Sequence, residues 1–364
     1  MGRSLRPALS VATGAAATLA LAAPAGTART DPLARLPLRQ LVGQRLIVGF
    51  PGPVVPAQLR RMIARGEAGG VLLFAPNISS RAALKRLAHD LQAIRRPRGL
   101  RDAPLVIALD QEGGLVKRVP GPPDHSAAEL GRIGRTGLTR NEGRATGRSL
   151  RAVGVTLDLA PVMDVARPGS ADERLGRSFG RRPEPVGRLG AAFVTGLRAG
   201  RVAAALKHFP GIGAVRDDQD LAAQRVREPL GRLRSFDEAP FARGIAAHAD
   251  VVMLASARFP ALDPLPALLS GRAIKGELRG RLGFRGVTLS DDLDAPSLRP
   301  WGGAATLAVR GARAGDDLMP FSAPASAAAA ENALVAAARA GTLGSRADLE
   351  AAAARVLALR RRAR

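Results

Sequence analysis

Eight short, almost uninterrupted apolar runs recur along the chain: Leu46–Phe50, Gly70–Phe74, Leu105–Leu109, Val155–Leu159, Val202–Leu206, Val251–Ala255, Gly286–Leu289 and Asp317–Pro320. Runs that are continuous rather than alternating belong to strands covered on both faces, which is the pattern of parallel sheets. Between them, Pro56–Arg65, Ser80–Ile94, Asn141–Val153, Val186–Ala199, Asp237–His248, Ser270–Leu282 and Ala304–Ala314 carry apolar residues at helical spacing with Arg on the opposite face. Eight strand-helix units predict an α/β fold, a single (β/α)8 TIM-barrel-like domain. No Gly/Ser-rich or Pro-rich linker divides it, and no solenoid repeat is visible.

The first residues read as an export signal. Arg3 and Arg6 are followed by the small, apolar stretch Ala8 to Ala23, and Ala23-Pro24-Ala25 or Ala28 offers a cleavage site, so residues 1–28 are set aside from the fold. Ser10, Thr13, Gly14 and Thr18 interrupt the stretch, which makes it a poor membrane anchor, and no other segment is apolar enough to span a bilayer. A secreted or cell-wall-associated protein is expected. The chain has no cysteine, which excludes disulfides, thiolate metal sites and a lipidated Cys, so stability must come from the core. The net charge of +24 rests almost wholly on Arg, a bias that first reflects genomic base composition. Such a chain would still be drawn to anionic cell-wall polymers. With aromatic residues at 3% and no Tyr, it lacks the stacking platforms of a nucleic-acid binder.

Polar residues interrupt the pattern where a barrel would use them, at the carboxyl ends of strands. Asp110-Gln111-Glu112-Gly113-Gly114 follows the third run, Asp158 and Asp164 flank the end of the fourth, Lys207-His208-Phe209-Pro210-Gly211 ends the fifth, and Ser290-Asp291-Asp292 ends the seventh. Any one of these alone is adequately explained as the cap of the next helix. Four coinciding ends point instead to one shared pocket. The loop Asp217-Asp218-Gln219-Asp220 adds three crowded carboxylates. There is no P-loop, dinucleotide fingerprint or His-Glu-x-x-His pair, and the four histidines, His89, His125, His208 and His248, lack metal-ligand spacing, so neither a metal nor a cofactor is expected. Carboxylates with Arg, Lys and His donors suit glycoside hydrolysis, which needs a nucleophilic carboxylate, a proton shuttle and partners for sugar hydroxyls. Schiff-base chemistry at Lys207 is the weaker reading, because adjacent carboxylates do not make a desolvated amine pocket.

Taken in order, Asp110-Gln111-Glu112-Gly113-Gly114-Leu115-Val116-Lys117-Arg118, Asp158-Leu159-Ala160-Pro161-Val162-Met163-Asp164-Val165, Arg177-Ser178-Phe179, Lys207-His208-Phe209-Pro210-Gly211 and Ser290-Asp291-Asp292-Leu293 resemble the signature blocks of family 3 glycoside hydrolases. The likeness is to the single-domain bacterial β-N-acetylglucosaminidases (β-N-acetylhexosaminidases) in particular, and it runs from Val42 to Pro320. It implies a catalytic barrel of the family's N-terminal type over residues 29–364, with helices added at its C-terminal end. It also implies a retaining enzyme acting on a carbohydrate, with peptidoglycan turnover as its setting; a monomer is expected. Asp291 matches the nucleophile that forms a covalent glycosyl-enzyme. Asp110, Arg118, Arg177, Lys207 and His208 match residues that bind the sugar.

One departure stands out. That branch reads Lys-His-Phe-Pro-Gly-His-Gly followed by Asp-x-His, whose histidine is the acid/base. Here Ile212 replaces the second histidine of the first motif, and the second reads Asp218-Gln219-Asp220. Asp220 or Asp218 can shuttle the proton if burial or a neighbouring carboxylate raises its pKa. Equally, the aspartates can be solvated ion partners of Arg216 and Arg225, leaving a glycan-binding pseudoenzyme.

Overall fold

The computed structural model describes residues 1–2, 33 and 35–362. The expected export signal, apart from its first two residues, lies outside them. The eight apolar runs form eight parallel strands: β1 (Leu46–Val48), β2 (Gly70–Leu72), β3 (Val106–Leu109), β4 (Leu157–Asp158), β5 (Ala203–Phe209), β6 (Val251–Leu254), β7 (Val287–Ser290) and β8 (Met319–Phe321). They are ordered β7-β6-β5-β4-β3-β2-β1-β8. A parallel bridge between Leu289 and Leu318 joins the two ends, with Ser290 N–H donating to the Leu318 carbonyl at 3.1 Å and Leu318 N–H to Thr288 at 3.0 Å. The sheet is thereby a barrel. Its interior is filled by Ile47, Leu72, Val106, Leu157, Met253 and Leu289, among others, which form one buried apolar cluster. The branched side chains that make each run a good strand also fill the space the strands enclose.

Helices follow the strands: α1 (Ala57–Arg65), α2 (Arg81–Ala93), α3 (Thr136–Arg151), α4 (Pro183–Ala199), α5 (Ala239–Ala246), α6 (Arg272–Arg281, with π-type hydrogen bonding), α7 (Ala304–Ala314), α8 (Pro324–Arg339) and α9 (Arg346–Arg362). Helices α3 and α4 approach backbone to backbone. A Cβ on Gly143 would lie 2.4 Å from the Phe193 carbonyl, and one on Gly196 would lie 2.2 Å from that of Arg140, so only glycine fits there.

Helix α9 closes the amino-terminal mouth. Its Val356 and Leu359 belong to the interior cluster. Arg355 reaches Asp317, ahead of β8, at 2.7 and 2.8 Å, and the fully buried Arg360 donates to the carbonyls of Ala103 and Pro104, ahead of β3, at 2.6 and 2.8 Å. The carboxyl-terminal face is left for the site.

The sequence predicts that the fifth strand stops at Leu206, but β5 runs on through Phe209. The physical reason is partnership. Lys207 and His208 can remain in the sheet because carboxylates meet them: the half-buried Asp110 and the buried Glu112 and Asp164.

Candidate active site

A cavity of about 290 Å³ opens at the carboxyl-terminal end of the barrel. Asp110, Arg118, Arg177, Lys207, His208, Asp218, Asp220 and Asp291, the residues singled out from the sequence, all line it, together with Glu112, Asp172, Gln219 and Asp292. Leu72, Phe74, Leu159, Ile212, Met253 and Pro320 supply apolar wall. Strand ends from across the chain therefore converge on one space, as the barrel geometry requires.

On one side stands a cluster of charges around β5. Lys207 Nζ is 2.6 Å from Asp110 Oδ1 and 2.7 Å from Glu112 Oε1. Arg177 forks onto Glu112, with Nε and Nη2 donating at 2.9 and 2.8 Å, and its Nη1 lies 3.6 Å from Asp172. Arg118 Nη2 is 3.9 Å from Asp110 Oδ2. Burial opposes the charge on Lys207, but Asp110 and Glu112 outweigh it and hold the ammonium above the usual lysine range. For Glu112 burial likewise acts upward and loses to Lys207 and Arg177, which hold the carboxylate far below its ordinary value. Glu112 carries no role in the sequence reading. Its signal was the period of an extended chain, which sends residues 110 and 112 to one side and Gln111 to the other. Gln111 indeed turns away, donating to the carbonyls of Val119 and Pro122 and so fixing the hairpin that carries Arg118.

His208 lies deeper. Its Nδ1 is 2.8 Å from Asp164 Oδ2, and Asp164 also accepts the backbone N–H groups of His208 at 3.1 Å and Ile212 at 2.7 Å. Burial, with Arg177 and Lys207 nearby, drives the imidazole down to about 3, so it is neutral. Where Asp164 is ionised it accepts the Nδ1–H, which leaves Nε2 as the acceptor nitrogen. Burial also raises Asp164 to about 7 and Asp172 to about 6. Asp158, by contrast, is fully buried and accepts the Gln111 N–H at 2.9 Å, a structural task outside the cavity lining.

Opposite this cluster stands Asp291, just after β7. Its Oδ2 accepts from Gln219 Nε2 at 2.7 Å and its Oδ1 from the Asp292 N–H at 3.0 Å. Burial raises its pKa to about 6, against the Asp292 N–H and Lys207, which favour the carboxylate. Asp220 is different. The Asp291 charge foremost, then burial and Asp218, push its carboxyl well above the usual range, and its Oδ1 is buried without a hydrogen-bond partner. Asp218 is exposed, and its Oδ1 accepts the Asp220 N–H at 2.9 Å, shaping the turn. The loop is pinned by Ser256 Oγ donating to the Gln219 carbonyl at 3.0 Å and by the Ser297 N–H donating to that of Asp220 at 3.1 Å.

Among the described residues, no group of three or more His, Cys, Asp or Glu side chains is arranged to hold a metal ion. The carboxylates are instead divided between a group held by cation partners on one side and the pair Asp291 and Asp220 on the other, where the charge on one raises the pKa of the other. Such a pair can attack a carbon with one member while the other donates a proton.

The sequence profile of the glycosyl hydrolase family 3 N-terminal domain matches residues 38–359. The chain belongs to glycosyl hydrolase family 3. It is a glycosidase built on that family's barrel. Among its relatives, an uncharacterized secreted glycosyl hydrolase of Arthroderma benhamiae is 33% identical over 339 residues, 91% of this chain and 95% of the other. A β-hexosaminidase of Stenotrophomonas maltophilia is 36% identical over 269 residues, 71% of this chain and 77% of the other. The solved β-N-acetylhexosaminidase of Beutenbergia cavernae superposes with a TM-score of 0.82 at 32% identity, over 90% of this chain and 99% of that one. A family 3 β-N-acetylglucosaminidase from Paenibacillus gives 0.85 at 35%, over 90% of this chain but 63% of that protein, so this chain spans under two thirds of its length.

Proposed function

We propose that this family 3 glycosidase removes β-linked N-acetylhexosamine, from cell-wall-derived or related glycans outside the cell, with retention of configuration through a covalent intermediate on Asp291. The observation that carries the reading is geometric: Asp291 lines the cavity with one carboxylate oxygen held by Gln219 and the other by the Asp292 N–H, while Asp220 lines the same cavity with a buried Oδ1 that has no hydrogen-bond partner. In the first step Asp291 attacks the anomeric carbon, the bond to the leaving oxygen breaks, and the Asp220 proton passes to that oxygen. In the second, the Asp220 carboxylate takes a proton from water, the water oxygen bonds to the anomeric carbon, and Asp291 is released. Asp220 thus stands in for the imidazole missing from this loop, while Asp218 shapes the turn. Asp110, Arg118, Arg177, Lys207 and the acceptor nitrogen of His208 hold the sugar hydroxyls. The substrate class is supported by the names of the β-hexosaminidase relatives, and the extracellular setting by the expected export signal and the secreted Arthroderma relative.

The test is turnover of aryl β-N-acetylglucosaminides, β-glucosides and β-xylosides with good and poor leaving groups. Efficient cleavage of the N-acetyl substrates with both kinds of leaving group is expected. Cleavage confined to strongly activated leaving groups would mean that no carboxyl donates the proton.

A further inference from the structure

Gln219 has no part in the mechanism above, yet it is among the most constrained side chains in the cavity. It is 5% exposed, and its Nε2 lies 2.7 Å from Asp291 Oδ2. Its other polar atom, Oε1, is buried and has no hydrogen-bond partner. The orientation follows from chemistry. An ionised carboxylate only accepts, so the NH2 group must face Asp291, and turning the amide over would set oxygen against oxygen. The backbone that follows its Cα is held by Ser256 at the Gln219 carbonyl and by Ser297 at that of Asp220, so the side chain springs from a fixed place. Buried acceptors without donors are costly and uncommon. Gln219 lines the ligand cavity, so a small turn of its side chain as the ligand enters would give this oxygen a donor that arrives with the ligand.

We propose that Gln219 is a positioning and specificity residue of the hydrolytic site: its NH2 holds Asp291, and its carbonyl oxygen accepts a hydrogen bond from the amide N–H at C2 of a 2-acetamido sugar. This rests on the reading of Asp291 as the nucleophile. A carboxylate that attacks C1 lies against C1, and the Gln219 amide is bonded to that carboxylate. The two ring neighbours of C1 are the ring oxygen, which has no proton, and C2. The donor that can reach Oε1 is therefore the group on C2. A 2-acetamido N–H provides it, a 2-hydroxyl can also do so, and a 2-deoxy sugar leaves the oxygen unpaired.

The experiment measures kcat/KM for the parent and Gln219→Met on three aryl β-glycosides with one shared aglycone: 2-acetamido, 2-hydroxy and 2-deoxy. Intrinsic reactivity differs among the three sugars, but it cancels when variant is compared with parent on each. Loss of the hold on Asp291 should lower all three by a common factor. Loss of the C2 contact should add a further roughly 10- to 100-fold on the 2-acetamido substrate relative to the 2-deoxy one. The acid limb of the pH profile should also move upward, because the carboxylate loses an N–H donor. An equal cost on all three substrates overturns the C2 contact, and an unmoved acid limb overturns the hold on Asp291. Should Gln219→Met fail to fold, the near-isosteric Gln219→Glu carries the same comparison, with a larger upward move of the limb from the second carboxyl. If Asp291→Asn keeps the parent's activity, the nucleophile reading fails and takes this inference with it. If Asp291→Asn is inactive and Gln219→Met is flat, this inference alone fails.

Discussion

Lys207 and Asp110, 97 residues apart in the chain, meet with Nζ 2.6 Å from Oδ1. The same ammonium serves Glu112, so two of its three protons face protein carboxylates. The two ends of the contact differ in kind. Lys207 is buried, whereas Asp110 keeps part of its carboxylate open to the cavity.

Substitutions here should therefore separate. Lys207→Met leaves Glu112 buried with Arg177 alone, and is expected to abolish sugar binding and to cost about 3–5 kcal/mol of stability. Asp110→Ala should weaken binding and turnover together with a smaller loss of stability. Isothermal titration with free N-acetylglucosamine and denaturant unfolding check both; unchanged sugar affinity in both variants would place the glycone elsewhere.

Asp291→Asn preserves volume and most contacts, and should lower turnover by roughly 10⁴-fold or more while leaving sugar affinity near that of the parent. Activity within a few-fold of the parent rules out Asp291 as the attacking group.

Asp220→Ala is expected to cost roughly 10²–10⁴-fold on substrates with poor leaving groups and much less in the first step of activated aryl glycosides, which need no proton. Deglycosylation should slow as well, and azide should restore it by trapping the glycosyl-enzyme without a general base. Asp218→Ala should resemble neither, since its carboxylate holds only a turn N–H.

The pH profile follows from the same pair. Asp291 must be ionised to attack, so kcat/KM should fall about tenfold per pH unit below a limb near 6. The basic limb belongs to Asp220, whose raised pKa keeps its proton well beyond the range of an ordinary carboxyl. A flat profile between pH 4 and 6 would contradict this assignment.

At the other end of the barrel, Asp317 accepts from Arg279, Arg355 and the Thr288 N–H. Asp317→Asn leaves two guanidinium groups short of their carboxylate and should lower stability by about 3–5 kcal/mol in urea unfolding. Turnover per folded molecule should stay unchanged, since no cavity residue is touched.

Much of this molecule is legible in its residues, for identifiable reasons. Short continuous apolar runs, bounded by turn residues and alternating with helical segments, fit strands buried on both faces, so the barrel follows from Ile47, Val106 and Leu289 and their like. Residues just past such runs must face one end, which is why Asp110, Lys207 and Asp291 could be named. Glu112 and Gln219 were less accessible, because their significance lies in what they touch: a cation from β5 and a carboxylate from β7. The extra length of β5 was hidden for a related reason. A lysine and a histidine after an apolar run look like the end of a strand until their partners are known. The contrast between Asp218 and Asp220 is likewise one of burial, which a loop of four polar residues does not reveal.

Helix α9 gives the fold an unusual dependence. Val356 and Leu359 complete the inside of the barrel, yet they come from a segment that follows every strand. A chain carrying all eight strands but lacking residues 346–362 would present an open-bottomed cylinder, with Leu157 and Val287 wetted from below. Translation delivers those strands first and the stopper last. Maturation of this barrel is therefore a whole-chain event rather than a progressive one, and any shortened version that omits α9 forfeits the floor beneath its own active site.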